Sequence, residues 1–303
     1  MEKQNKFVKD MTKGNPMQLL IQFSLPLLVG NIFQQLYNMV DSIIVGNFVG
    51  ANALGAIGTT NSLNFFFFSL VAGLSVGIGI IVAQYFGFGD EEKVKDAIGN
   101  SIWIITVCSV IMAIIGFVTA RPVLVLLDTD PVILNDAVAY LKVVSIGIVC
   151  VGFYNGVSGI LRALGDSKTP LIFLIVASVL NVILDLIFVL SFGWGVVGAG
   201  VATAFSQLIS ALACIIYAYK SNTYFKLKKK NIKLNGNIIK KSCKLGIPVA
   251  LQNSLIAFSL IVLQKVVNGY GATFTTAFTV VSRIETLVQQ PFMSLGAAVS
   301  TYT

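Results

Sequence analysis

The hydrophobic pattern of the chain is a series of long apolar stretches separated by short polar breaks. Eight such stretches lie near 17–45, 53–84, 97–120, 136–163, 170–192, 197–219, 243–268 and 276–303. A helix needs about 20 predominantly apolar residues to cross roughly 30 Å of hydrocarbon, so each stretch is long enough to span a bilayer. The first two exceed one membrane thickness and must tilt, kink or begin in the interface. The predicted fold class is all-α, a polytopic membrane protein of about eight transmembrane helices. The polar N-terminal segment, residues 1–16, has no short apolar core followed by a small-residue cleavage site, so the first span is expected to direct insertion itself.

The two ends of the chain superimpose on a shift of 221 to 222 residues, which places Pro26 on Pro248, Asn31 on Asn253, Gly50 on Gly271, Ala56 on Ala277 and Leu74 on Leu295. Both ends share one plan: a proline near the start of a long helix, a short Gly-Ala turn, then another long helix. This predicts parallel repeated bundles. Residues 1–222 are read as a six-helix N-terminal lobe, and residues 223–303 as a basic connecting loop with the first two helices of a second lobe. Equal halves would call for roughly 140 further residues, so a C-terminal portion of the same protein is an expected partner.

Composition supports a membrane solvent. With 56% hydrophobic residues, 11% charged residues and a mean hydropathy of +0.85, the chain has too much apolar surface for a water-facing domain. Of its 21 lysines and arginines, all but Arg121, Lys142, Lys265 and Arg283 fall in the N-terminal tail, the loops near 90 and 165, and the loop 220–244. Alternating spans put these on one side, and the positive-inside rule makes that side, with the N-terminus, the cytoplasmic face of a cell membrane. Lysines beside a membrane read as a topology signal in contact with anionic headgroups, so membrane lipids are expected partners and nucleic acid is not. Lys142 and Lys265, near the outer ends of their spans, are expected to snorkel to the interface. Arg283 and Glu285 are candidates to pair with each other or with neighbouring helices.

Enzymatic chemistry finds little to stand on. The chain has no histidine, which removes imidazole-based zinc sites and Ser-His or Cys-His catalysis. Cys108, Cys150, Cys214 and Cys243 lack CxxC spacing and are read as reduced packing residues. No nucleophile–base set or phosphate-binding loop is present, so the chain is not read as an enzyme.

The chemistry lies in polar groups within the spans. An ionisable side chain in hydrocarbon costs about 3 kcal/mol or more and therefore faces a cavity or a partner. In the first span Asn31, Gln34, Gln35, Asn38, Asp41 and Ser42 share an arc of about 120°. Ser178, Asn181 and Asp185 repeat the theme in the fifth span at spacings of three and four, and Thr203, Ser206, Gln207 and Ser210 form a stripe in the sixth. Two carboxylates with amide and hydroxyl oxygens nearby are hard ligands suited to Na⁺; held close, they can instead share a proton, so either ion fits. The competing reading is interhelical hydrogen-bond glue, at about 0.6 kcal/mol per group. That reading suits the amides and hydroxyls better than Asp41 and Asp185. Pro26 and Pro248 sit in long apolar helices, where the missing N–H produces a fixed kink or a hinge. The Gly73-Leu-Ser-Val-Gly77 and Gly46-Asn-Phe-Val-Gly50 spacings permit close helix contact.

The segments FSLPLLVGNIFQQLYNMVDSIIVG at 23–46, ILRALGDSKTP at 160–170, NVILDLIFV at 181–189, GVVGAGVATAFSQ at 195–207 and RIETLVQQPFMSLGAAVSTYT at 283–303 together resemble the multidrug and toxic compound extrusion (MATE) family. The seventh span, GIPVALQNSLIAFSLIVLQKVVNG, lacks the glutamate of some branches, which favours a resemblance to the DinF-like branch. The resemblance implies an antiporter that couples inward flow of Na⁺ or H⁺ to export of small organic, often cationic, compounds by alternating access. It implies no cofactor beyond the coupling ion. It further implies a cation site at Asp41, Asn181 and Asp185, with Thr203 matching a sixth-helix threonine and Asn155 a fourth-helix asparagine. Gln34 and Asn38 are expected near the substrate cavity, and Pro26 is the candidate hinge. Two alternatives stand beside this: a flippase for lipid-linked saccharides, which would favour a more basic cavity, and a non-transporting membrane fragment or scaffold.

Overall fold

The computed structural model describes residues 15–127, 129–268 and 272–302, with Ala51 and many side chains of the last two helices outside the description. Lys3, Lys6, Lys9 and Lys13, and the side chains of Lys265 and Arg283, lie outside the described residues. The described residues form α1 (Pro16–Phe48), α2 (Ala51–Gly87), α3 (Glu91–Leu126), α4 (Pro131–Ala163), α5 (Lys168–Asp185), α6 (Gly195–Ser221), α7 (Gly236–Asn268) and α8 (Ala272–Tyr302). A π-helical turn, Leu186–Ser191, continues α5, and a 3₁₀ turn, Thr223–Phe225, follows α6. Helices α1 to α7 are long and apolar enough to cross a membrane. The molecule is a multi-pass, all-helical membrane protein.

The helices outrun the apolar stretches that predict them. The third stretch, 97–120, sits inside a helix of 36 residues, about 54 Å long at 1.5 Å per residue. Polar residues at the membrane surface set the ends. Asp90 accepts the Lys93 N–H at 3.1 Å before α3, Asp130 accepts the Val132 N–H at 2.9 Å before α4, and Asn15 accepts the Met17 N–H at 3.0 Å before α1. Each satisfies a donor that a helix start leaves unpaired. The Lys93 ammonium, 2.7 Å from Asp90, also holds the Asp90 carboxyl below its ordinary range. Before α5 the buried Asp166 accepts both the N–H and the hydroxyl of Thr169, at 2.9 and 2.6 Å.

Pro26, Pro122, Pro248 and Pro291 lie inside helices that run unbroken through them. Losing one N–H in the middle of more than 30 residues leaves the flanking hydrogen bonds intact. At Pro26, α1 is one continuous helix in this conformation.

Helix α2 is the hub, packing on α7, α4 and α3; α4 also packs on α6, and α5 on α6 and α1. Small residues allow these approaches, as expected where lipid removes the hydrophobic incentive to associate. A Cβ added at Gly73 would collide with the Ala250 backbone, and one at Gly77 with the Ser242 carbonyl and the Gly246 backbone. The first of the two small-residue spacings read in the sequence is therefore the α2–α7 contact. Large apolar side chains point outward instead. On α3, Val107, Ile111, Ile114 and Val118, spaced four, three and four apart, are exposed as a lipid-facing stripe.

Helix α8 packs on α1. If α7 repeats α1 and α8 repeats α2, the α2–α7 and α8–α1 contacts are the pair that a twofold repeat exchanges. Each carries a polar bridge: Ser69 to Ser254 at 2.8 Å and Asn31 to Ser294 at 3.2 Å.

Candidate functional site

The polar stripes of α1, α5 and α6 converge. Helix α1 packs along α5, and α5 along α6, which brings together part of each predicted stripe, whereas Asn31 bonds to Ser294 of α8 and Ser42, Ser178 and Ser206 bond back to their own helices. Asn181 is 1% exposed and Asp185 0%, while Asp41 is half-buried. The Asp41 and Asp185 carboxyl groups lie within electrostatic reach of each other across the α1–α5 contact. Among the described residues, no lysine or arginine is one of the groups that act on either one.

Two phenols complete the cluster. Tyr37, one turn before Asp41, lies beside the side chains of Gln34 and Gln207 and within electrostatic reach of both carboxyls. Tyr140 of α4 faces the same two acids and Tyr37. Asn181 donates to the Thr203 hydroxyl at 3.3 Å, which ties α5 to α6. Below them an apolar floor of Ile44, Val45, Ala53, Ile57, Val189, Val196 and Ala199 packs with Tyr140.

The accounting of hydrogen bonds sets this region apart. Asp41 Oδ1, both carboxylate oxygens of Asp185, Asn181 Oδ1 and Gln207 Oε1 are buried and receive no donor from the described residues. Buried polar atoms in proteins are almost always paired, because an unmade hydrogen bond costs about 1–3 kcal/mol. Of nine such buried side-chain atoms without a partner among the described residues, five are acceptor oxygens of these four side chains, which come from three helices. Two carboxylates and two amide carbonyls are hard oxygen ligands, a set that fits a small monovalent cation or protons rather than a soft metal.

Beside the acids a cavity of about 250 Å³ opens among α1, α2, α4 and α6. Gln34, Tyr37 and Asn38 line it from α1, Asn64, Phe65 and Phe68 from α2, Val144, Gly147, Ile148 and Val151 from α4, and Gly200, Thr203 and Ala204 from α6. Thr203 and Tyr37 are shared: each touches both the cavity and the acid cluster.

Not every expected residue joins the group. Asn155 donates its amide to the Val151 carbonyl one turn earlier, at 2.8 Å, and makes no hydrogen bond to Asp41, Asn181 or Asp185. Lys142 is half-buried with its ammonium 5.1 Å from the centre of the Phe117 ring, a cation–π contact. Glu285 accepts from Gln289 at 3.0 Å, one turn along α8. All four cysteines are free.

Helical spacing marks Gln207 in advance. It passes over Tyr37, although a position three residues after Gln34 and four before Asp41 puts that phenol on the same face. Tyr140, Asn64, Phe65 and Phe68 carry no signal, because α2 and α4 show no polar stripe that singles them out. The π-helical turn that begins just after Asp185 is likewise silent in the sequence; such turns recur at functional sites but have no signature here.

Residues 26–187 match the MatE family. The probable multidrug resistance protein YpnP of Bacillus subtilis is 33% identical over 293 residues, covering 96% of this chain and 65% of its own length. The chain spans 61–65% of the length of the curated relatives it matches first. A MOP superfamily transporter from Pyrococcus furiosus superimposes with a TM-score of 0.91 at 26% identity, covering 99% of this chain and 67% of that one. The same values hold for a multidrug resistance MATE family transporter of the MOP superfamily in an outward-facing conformation.

Proposed function

The chain belongs to the MatE family of membrane transporters, and from that premise we propose that it serves in cation-coupled export of small organic, often cationic, compounds by alternating access, with Na⁺ or H⁺ as the coupling ion. The observation that carries the proposal is the cluster of buried oxygens without donors at Asp41, Asn181, Asp185 and Gln207. Two acids in hydrocarbon with no basic partner among the described residues are costly unless a cation or a shared proton neutralises them.

In this reading Asp41 and Asp185 bind the ion, Asn181 supplies a further carbonyl oxygen, and Thr203 holds the Asn181 amide in place. The organic substrate occupies the cavity of Gln34, Asn38 and the neighbouring aromatic rings. Because Tyr37 and Thr203 touch both sites, the ion and the substrate can bias one conformational equilibrium in opposite directions, as exchange requires. Residues 1–222 act as a first lobe, and 223–303 as the connector with the first two helices of a second. The exchange of α2–α7 and α8–α1 contacts supports that division. The lysine-bearing face, with the N-terminus, is the cytoplasmic side of the cell membrane. Pro26 lies about four helical turns before Asp41 on α1. That is too far for it to touch the ion, so its role in this reading is to let α1 bend.

The test is efflux of a fluorescent organic cation from cells or vesicles carrying the protein. With Asp41→Asn, ion-driven efflux is expected to fall at least tenfold, while the amount of folded protein in the membrane is maintained. Unchanged efflux in that variant overturns the mechanism.

A further inference from the structure

The segment between α6 and α7 is a strap pinned along α3. Lys230 pairs with Glu92 at 2.7 Å, and Asn231 donates to Asp96 at 2.7 Å. Asn100 donates to the Lys233 carbonyl at 3.3 Å and accepts the Asn235 N–H at 2.8 Å, and the Trp103 indole donates to the Ile232 carbonyl at 2.9 Å. Gly99 is where the two backbones meet, since a Cβ there would strike the Asn231 carbonyl. Behind the strap, Tyr224 stacks edge-on against Phe86, and Phe225 and Leu227 pack on the buried cluster of α2, α3 and α4.

The depth of the strap follows from the helix it rides on. From Glu92 to Trp103 it covers eleven positions of α3, about 16 Å. If α3 is centred on roughly 30 Å of hydrocarbon, about 12 Å projects at each end, so the boundary falls near Gly99 and Trp103 lies about 6 Å inside it. Tryptophan is favoured close to that boundary, where its indole N–H can still reach a polar partner. The strap's free side chains match the same boundary: Ile232 is 37% exposed and Leu234 65%, while Lys228, Lys229 and Lys233 are exposed and form no ion pair among the described residues.

We propose that this strap is an anionic-phospholipid site, in which Lys228, Lys229 and Lys233 engage headgroup phosphates while Ile232 and Leu234, beside Trp103, enter the acyl boundary. Charge and register both argue for lipid over a soluble polyanion. The ammonium groups alternate with aliphatic side chains on one short segment, and an aqueous anion would leave Ile232 and Leu234 uncovered. The hydrogen bonds to α3 fix the backbone, so little ordering remains to be done on binding.

The experiment uses the whole chain with Trp194→Phe, which leaves Trp103 as its only tryptophan, in vesicles of brominated phosphatidylglycerol or brominated phosphatidylcholine. Quenching of Trp103 is expected to be stronger with phosphatidylglycerol. The combined variant Lys228→Gln, Lys229→Gln and Lys233→Gln is expected to lower the preference for phosphatidylglycerol on the order of a hundredfold. Raising ionic strength should erode the preference of the parent protein in the same direction, a check that needs no second folded variant. Ile232→Asn with Leu234→Asn should weaken quenching by both lipids. Equal quenching by the two lipids in the parent, or an unchanged preference in the lysine variant, overturns the site. Competition by a soluble oligonucleotide as effective as phosphatidylglycerol also overturns the assignment to lipid.

Discussion

Two polar regions of this molecule use the same side chains to opposite ends. Along α3 and the strap, Asp96, Asn100, Asn231 and Trp103 are joined in a lattice where each amide or acid meets a partner at 2.7 to 3.3 Å. Between α1, α5 and α6, Asp41 Oδ1, Asn181 Oδ1, Gln207 Oε1 and both carboxyl oxygens of Asp185 are buried and meet no donor among the described residues. The first arrangement lowers the energy of one structure. The second holds a deficit that a small cation or a proton can relieve. Residue type does not separate a structural network from a binding site; the balance of donors and acceptors does.

The comparison can be broken most decisively at Asp185. Asp185→Asn should abolish ion-driven efflux, at least a tenfold loss in the dye assay, while leaving thermal stability equal to or above that of the parent, because an uncompensated buried acid is replaced by a neutral isostere. A variant that transports normally, or that unfolds, places Asp185 in the structural class.

Next in size is Asn231→Ala in the strap. It strips the Asp96 carboxylate and the Lys228 N–H of their partners, so unfolding in detergent should show a loss of about 1–3 kcal/mol. Thr203→Val should cost only about 0.6 kcal/mol, since it removes one 3.3 Å interhelical bond. Its larger effect should be a weakened dependence of efflux on the ion gradient. If Thr203→Val destabilises more than Asn231→Ala, the two regions do not differ as described. The smallest effect is expected at Lys230→Gln, whose partner Glu92 is equally exposed to water; thermal unfolding should not change measurably.

Much of the architecture was legible before any coordinates. Long apolar runs identify membrane helices because the hydrocarbon thickness imposes one length on all of them. Helical spacing alone put Asp41 on one face with Gln34 and Asn38, and Asn181 with Asp185, since side chains three and four apart must lie together. The proline positions were equally visible, but whether α1 bends at Pro26 depends on what packs beside it. Lys142 shows what local reasoning leaves out: its place near the end of the span suggests the interface, but the contact with the ring of Phe117 comes from another helix.

By itself, then, the sequence determined what is local or periodic: the long apolar helices, the clustering of lysines between them, the small-residue spacing at Gly73 and Gly77, and three separate polar stripes. Only the tertiary structure decided which stripes face one another, that Asp41 and Asp185 are neighbours, that Tyr140 joins them, and that Asn155 turns back to its own helix. The physical reason is range. Periodicity is set by bonds three and four residues apart, whereas the pairing of acids 144 positions apart is set by how whole helices cross, and no short window of residues encodes that.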